Sequence, residues 1–498
     1  MLRILRACVA VLACLPAWAQ TSQEIDALAH SVLKDWQVPG LALAVVRDGS
    51  LVHEQGYGLR NVAAKLPVTK ETLFGIGSIS KSFTVLGLWS LQAEGKLDWD
   101  KPVRDQMAGF RLKDPVATDR ATPRDLVTHR TGLPRHDAMW GGGSTVPPAR
   151  QQIFQRLRYL EPSRDFRVEF QYNNLMFLTA GLLGEAVSGE KWEAMMQQRL
   201  FAPLGMRSSK ALMSEAAKEV NYAQHYDRSK ADWSLLPVEN LAPSLDTIGP
   251  AGSIQSNLRD MARYLQAHIA RGKLDGKPVL EERFISAMQT PQMVIASTAT
   301  PGPYPGDLSY GMGLFLGHHR GRKAVWHTGT YGGHHALLWY LPEEQFGVMV
   351  LLNRVAREVP AILALTLADR FLGLPATDWG KVNREASDRA RAALDKTRRE
   401  FESTRRPAAK PGHALSEYSG SFQHAAYGTV EVALEAGALT LKRNQRIHTL
   451  THRHYDVFTI GDGQDTVRFV TGINGEVEAL LWKLEPALEA MVFRRYGD

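Results

Sequence analysis

Gly77-Ser78-Ile79-Ser80-Lys81, running straight into Ser82 to Glu94, is the stretch from which the rest of the chain is read. Phe83, Val85, Leu86, Leu88, Trp89 and Leu91 put apolar side chains on nearly every face of one helix, and a helix apolar all round is a buried one. Gly95 is placed to end it. Ser78 and Lys81 are then i and i+3 on the first turn and face the same way. A serine hydroxyl is a weak nucleophile that needs a base within hydrogen-bond reach. A lysine can be that base only when neutral, and burial drives its pKa down. The helix N-terminus adds a field that favours negative charge on the serine oxygen. As bare text S-x-x-K is common, and its plain meaning is an N-cap serine beside a surface lysine. The buried helix is what lifts it above that meaning.

Two other stretches join it. Tyr172-Asn173-Asn174 follows a polar run from Glu161 to Glu169 and precedes Leu175-Met176-Phe177-Leu178, a second buried helix start. A tyrosine and an amide two residues apart in a loop can both face a cleft, one to relay a proton and one to hold a carbonyl. His327-Thr328-Gly329-Thr330 closes a strand predicted over Lys323 to Trp326. Gly329 there lets a ligand backbone lie close to the strand, and the Thr330 amide is placed to donate to an oxyanion. By itself, His327 reads more simply as a structural histidine.

Working outward, Ser22 to Trp36 reads as an amphipathic helix, and Leu41 to Val46, Arg47-Asp48-Gly49-Ser50 and Leu51 to His53 read as a hairpin. Strand patterns return at Leu337 to Tyr340 and Phe346 to Leu352. Strands at both ends with helices between predict one α/β (α+β) domain over residues 20–378, its sheet built from distant segments. From Lys381 to Arg406 the chain carries nine basic and five acidic residues, which reads as a solvated helix and linker over 379–412. After Gly412 short alternating runs recur, with turns at Glu435-Ala436-Gly437, Gly461-Asp462-Gly463 and Asn474-Gly475. They predict a small all-β domain over 413–498, separate from the catalytic part and free of catalytic residues.

Composition sets the outer bounds. With 498 residues, 44% hydrophobic and 22% charged, the chain is an ordinary globular protein, not a coiled coil or a disordered tract. A formal charge of +7 is small for this length and gives no case for a nucleic-acid partner. Arg3 and Arg6, the 13-residue apolar run Ala7 to Ala19 and the small-x-small Ala17-Trp18-Ala19 predict a signal peptide over 1–19. Such a run is too short for a stable membrane span. Cleavage would remove both cysteines, Cys8 and Cys14, and with them any disulfide or thiol chemistry; the expected location is periplasmic or secreted. His318-His319, His334-His335 and His452-Arg453-His454 lack acidic partners, so no metal or other cofactor is expected. No serine has glycines two residues to either side, and there is no H-E-x-x-H and no Walker loop.

Together, and in this order, the three motifs resemble the penicillin-recognising serine hydrolases: the branch with class C β-lactamases, DD-peptidases, D-aminopeptidases and related esterases. Thr122-Pro123-Arg124-Asp125-Leu126-Val127-Thr128-His129-Arg130-Thr131-Gly132-Leu133-Pro134 and Gly249-Pro250-Ala251-Gly252-Ser253-Ile254-Gln255-Ser256 add to the likeness. The tail resembles the small β-barrel appended to some members. The resemblance implies a central antiparallel sheet flanked by helices, and an acyl-enzyme mechanism on a small peptide, ester or β-lactam. It implies Ser78 as nucleophile and a proton path shared by Lys81 and Tyr172. It assigns substrate binding to Asn174, His327, Thr328 and Gly329, and an oxyanion hole to the Ser78 and Thr330 amides. His327 stands where β-lactamases of this branch usually carry lysine. That departure points toward the D-amino-acid peptidases first, with an esterase or a class C-like β-lactamase as alternatives and a non-catalytic binding or signalling protein on the same fold as the alternative of another class.

Overall fold

The computed structural model describes residues 17–141, 146–229, 233–296, 307–461 and 463–497. The expected leader, with Cys8 and Cys14, lies almost wholly outside them. Nine strands form one sheet: β1 (Gly40–Arg47), β2 (Ser50–Asn61), β3 (Leu66–Pro67), β4 (Met293–Ile295), β5 (Leu308–Tyr310), β6 (Phe315–His319), β7 (Arg322–Tyr331), β8 (His334–Leu341) and β9 (Phe346–Leu352). Their order is β3-β2-β1-β9-β8-β7-β6-β5-β4, with every neighbour antiparallel. The first hairpin thus lies beside the last strand, Leu41 opposite Leu352, some 300 residues away along the chain.

Six longer helices matter here: α1 (Ala17–Asp35), α2 (Ser80–Ala93), α3 (Asn174–Ser188), α4 (Leu258–Ile269), α5 (Glu358–Phe371) and α6 (Trp379–Ser403). The sheet is covered on both faces, which is why β1 and β9 read as unbroken apolar runs. Leu41, Leu43 and Val45 pack with Ile25 and Val32 of α1 and Val359 and Leu363 of α5. Ala42, Ala44 and Val46 face the other way, into the core that holds α2, α3 and α4.

α2 is the axis of that core. Every residue from Ser80 to Leu88 is buried, Lys81 among them. α6 is the opposite case: of its 25 residues only Asn383 is buried, the solvated helix its charge pattern predicts.

Eight further strands close into a barrel: β10 (Gly420–His424), β11 (Gly428–Glu435), β12 (Ala438–Arg443), β13 (Arg446–His454), β14 (Val457–Ile460), β15 (Thr466–Thr471), β16 (Val477–Trp482) and β17 (Met491–Arg495). Phe422, Val430, Leu441, Phe458, Phe469, Leu480 and Phe493 fill its interior. Side chains occupy the lumen, as expected for a barrel of eight strands. Its outer surface and hairpins are therefore what it offers to the rest of the molecule. Among the described residues no helix is long and apolar enough to cross a membrane.

Candidate active site

Ser78 sits in a single 3₁₀ turn, Gly77–Ile79, immediately before α2. Gly77 makes the turn possible: its φ of +50° belongs to the left-handed region, and a Cβ there would lie 2.6 Å from the Thr330 nitrogen. Gly329 meets the same turn from the other side, and a Cβ on it would overlap the Ile76 carbonyl oxygen. Two glycines thus let β7 press against the serine turn. The sequence reading gave Gly329 to a ligand; it is the Ile76–Gly77 backbone that takes the space.

Lys81 lies one turn in, with Nζ 3.0 Å from Ser78 Oγ, 2.8 Å from Asn174 Oδ1 and 2.8 Å from the Ala251 carbonyl oxygen. Both carbonyl groups only accept. A neutral amine has two N–H groups and one lone pair. The two carbonyls take the two N–H groups, so the lone pair is left facing the serine hydroxyl. Burial, reinforced by Arg135 and opposed by Asp137, holds Lys81 well below the usual lysine range. The Gly249–Ser256 stretch serves this arrangement: Pro250 O accepts from Thr84 Oγ1 at 2.7 Å, and Ile254 N–H donates to Ser80 Oγ at 3.1 Å, fixing Ala251 over α2.

Tyr172 closes the other side. Its ring lies 4.9 Å beneath Lys81 Nζ and 5.1 Å beneath the Arg135 guanidinium. Burial pushes the phenol above its ordinary range, against a hydrogen bond with Ser78 and the charge of Arg135, so it stays protonated at neutral pH. His129 packs on it as a tilted ring with centroids 4.3 Å apart and is itself held neutral, chiefly by burial. Asn173 caps α3 by accepting from Met176 N–H at 2.9 Å, and its own N–H donates to His129 Nδ1 at 3.0 Å. That pair fixes Tyr172 and Asn174 on either side of it.

Asn174 Nδ2 donates to Asp137 Oδ1 at 2.9 Å, and Trp140 Nε1 donates to the same oxygen at 2.9 Å. Arg135 Nε donates to Asp137 Oδ2 at 2.6 Å. Arg135 and Asp137 were missed in the sequence. They directly follow the Thr122–Pro134 stretch, and that position was the only available signal.

A cavity of about 570 Å³ opens over Ser78, lined among others by Arg135, Asp137, Asn174, Thr330 and Tyr331. His327, Thr328 and Gly329 do not line it. His327 is only 1% exposed and sits behind Tyr172 and Tyr310. Its Nδ1 faces the Thr328 carbonyl at 2.6 Å and must carry the proton, while Nε2 accepts from the Tyr310 hydroxyl at 3.1 Å. Burial first, then Lys81, lower its pKa to about 3. In this structure His327 is a buried neutral support behind Tyr172, away from the cavity lining. The strand motif delivers Thr330 instead. The tight turn at Gly332–Gly333 makes Tyr331 and His334 a bonded pair, so ladder alternation turns the Thr330 N–H away from β8, toward Gly77 and Ser78.

The far wall of the cavity comes from the barrel. Arg443 and Arg446, at the β12–β13 turn, complete the lining. The barrel, expected to fold as a separate unit, thus reaches the cavity through this turn. Neither arginine forms an ion pair among the described residues, and Arg443 donates to the Ala138 carbonyl at 2.7 Å. Among the described residues no three histidines, cysteines or carboxylates gather to hold a metal. His319, for example, is paired with Asp369 at 2.9 Å.

Residues 25–371 match the Beta-lactamase family. The chain belongs to this family. Residues 404–495, which hold the barrel, match a domain of unknown function (DUF3471). An unguisins hydrolase of Aspergillus campestris is 29% identical over 81% of this chain and 76% of its own. A penicillin-binding protein 4 of Amycolatopsis lactamdurans is 26% identical over 64% of this chain and 81% of its own. An octameric penicillin-binding protein homologue from Pyrococcus abyssi shares the fold with a TM-score of 0.59 at 23% identity, covering 95% of this chain and 99% of its own. The protein is a serine hydrolase of the β-lactamase family with a β-barrel appended.

Proposed function

We propose that this β-lactamase-family hydrolase is a D-amino-acid-type peptidase that acts through an acyl-enzyme on Ser78. The observation that carries the reading is the serine turn at the base of a cavity whose opposite wall is cationic. Neutral Lys81 takes the Ser78 proton through the lone pair its two carbonyl partners leave free. The serine oxygen attacks the substrate carbonyl, and the Ser78 and Thr330 amides receive the oxyanion. Tyr172, kept protonated, donates to the departing amine, and the proton on Lys81 replaces it. Water attacking the acyl-enzyme repeats the path in reverse order. Asn174, tied to Lys81 and Asp137, meets the substrate's amide only from its cavity edge.

The choice of peptide over simple ester rests on charge. Asp137 is already met by Arg135, whereas Arg443 and Arg446 face the cavity without a carboxylate. A guanidinium pair of this kind suits a free carboxylate, such as a peptide's C-terminal end. The relatives named as hydrolase and as penicillin-binding protein are consistent with acylation by such substrates. Arg3, Arg6 and the apolar run after them support an exported protein acting in the periplasm or outside the cell.

Whole-protein mass spectrometry tests the reading, after incubation with a penicillin, an N-acyl-D-alanyl-D-alanine peptide and a p-nitrophenyl ester. The expected result is an adduct on Ser78 with the penicillin and turnover of the D-peptide. Turnover of the ester alone would make the protein an esterase, and no adduct with any of the three would remove the enzyme reading.

A further inference from the structure

The barrel's role does not end with two arginines on a wall. It holds the segment Arg135–Ala138 by both sides of Asp137. The His136 N–H donates to Glu485 Oε2 at 2.7 Å. The His136 ring is 1% exposed; its Nε2 faces the Glu161 carbonyl oxygen at 2.9 Å and so carries the proton. Nδ1, left as acceptor, takes the Tyr427 hydroxyl at 2.6 Å. On the other side of Asp137, Arg443 donates to the Ala138 carbonyl at 2.7 Å. Tyr427 and Glu485 are buried at 3% and 4% exposure, so these contacts are sealed from water.

The backbone here needs holding. His136 has a φ of +48°, a left-handed conformation that costs a non-glycine residue energy and persists only where its surroundings enforce it. Asp137, set by that turn, accepts from Asn174, whose other amide atom accepts from Lys81. A connected path therefore runs from the barrel to the amine beside Ser78: hydrogen bonds to His136 and Ala138, the covalent backbone through Asp137, then hydrogen bonds through Asn174 to Lys81. We propose that the barrel positions the proton-accepting lysine: Tyr427, Glu485 and Arg443 hold the two neighbours of Asp137, and Asp137 orients Asn174 and through it Lys81. Tyr427 and Glu485 are positioning residues, remote from the substrate. The proposal rests on Ser78 and Lys81 as the acylating pair and not on the choice of peptide substrate.

The probe is accordingly p-nitrophenyl acetate, a substrate with no amino acid, and the measurement is the pre-steady-state acylation burst of the full-length chain. Tyr427→Phe keeps the ring and removes only the hydroxyl. It should lower the acylation rate constant about tenfold, with the noncovalent binding constant nearly unchanged, because misplacement of a catalytic group far exceeds the loss of binding. Glu485→Gln should act in the same direction. In an Asp137→Ala background, Tyr427→Phe should cost little more, since both act on one linkage. Wild-type acylation in Tyr427→Phe and Glu485→Gln would overturn the proposal, as would losses that multiply fully with Asp137→Ala. Should the Glu485 variant not fold, Arg443→Lys tests the linkage from Ala138 with the same expected slowing. A protein that acylates with the acetate but turns over no D-peptide would defeat the peptidase reading and leave this inference standing.

Discussion

The base of the cavity and its far wall are built on different terms. At the base, Gly77 and Gly329 press two backbones together, Lys81 has all its hydrogen-bonding capacity assigned, and Tyr172, His129 and His327 are packed against one another as tilted rings that burial keeps uncharged. The wall is the reverse. Arg443 and Arg446 stand on a hairpin and form no ion pair with a carboxylate among the described residues. Chemistry at the base needs one geometry and one protonation state, so nearly every atom there is constrained. The wall meets the part of the substrate that does not react, where charge and reach matter more than sub-ångström placement. Substitutions should therefore grade steeply from one to the other.

The largest expected effect is at Ser78, the proposed nucleophile. Ser78→Ala should lower turnover on the order of 10⁴- to 10⁶-fold with the melting temperature nearly unchanged, because the side chain does chemistry and little packing. Steady-state assay and thermal unfolding of one preparation check both halves. A variant with a tenth of wild-type turnover would mean that another group is acylated. Next comes the glycine contact. Gly329→Ala places a methyl on the Ile76 carbonyl oxygen and must part β7 from the serine turn. Acylation should fall about 100-fold, as expected for a displacement near 1 Å at the reacting groups. Full activity in this variant would mean that the base tolerates slack and that the contrast with the wall is false.

How far the sequence could be read follows the same division. α2, the Leu41 to His53 hairpin and Phe346 to Leu352 were legible because burial on all sides, or alternation between two cores, writes itself into hydrophobic pattern. Ser78, Lys81, Tyr172 and Asn174 were legible as one cluster because they sit at short spacings on such buried elements, and the structure brings them within hydrogen-bond reach of one another; their catalytic roles are those proposed. The strand holding His327 was expected to end at Trp326 but runs on to Tyr331. That extension changes which residues face the cavity, and pattern cannot locate the end of a strand that a glycine interrupts. Asp137, Arg443 and Glu485 were invisible for another reason. Asp137 acts through Asn174, 37 residues on, while Arg443 and Glu485 meet its neighbours across some 300 residues, and an arginine in a turn looks the same over a cavity as over water.

The wall can be tested more gently. Arg446→Gln should lower kcat/KM about tenfold for a D-alanyl thioester whose leaving group carries a carboxylate, relative to its methyl ester, which is the range for one charge-assisted hydrogen bond. Arg446→Lys should recover part of that ratio and lose the forked geometry. A ratio the same in all three proteins would place the carboxylate elsewhere.

The smallest expected effect is none, and it separates the two sides most cleanly. The ratio between the same two thioesters, followed from pH 5 to 8, reports the charge of whatever holds the carboxylate. Both thioesters need Ser78, Lys81 and Tyr172, so titration of the proton path cancels in the ratio. The carboxylate itself is ionised throughout this range, its ordinary pKa being about 4. Burial lowers the Arg443 guanidinium only to about 10, above this window, so a ratio set by the guanidinium wall is flat. An imidazolium would behave otherwise: it is charged only below its pKa, and the ratio would fall as pH rose through that value. His327, with a pKa lowered to about 3 by burial and by Lys81, is neutral across the whole window and contributes no slope. A ratio that dropped between pH 6 and 7 and became flat in His327→Gln would return the carboxylate to the strand. It would also mean that the base carries substrate charge after all, and that the wall only closes the cavity.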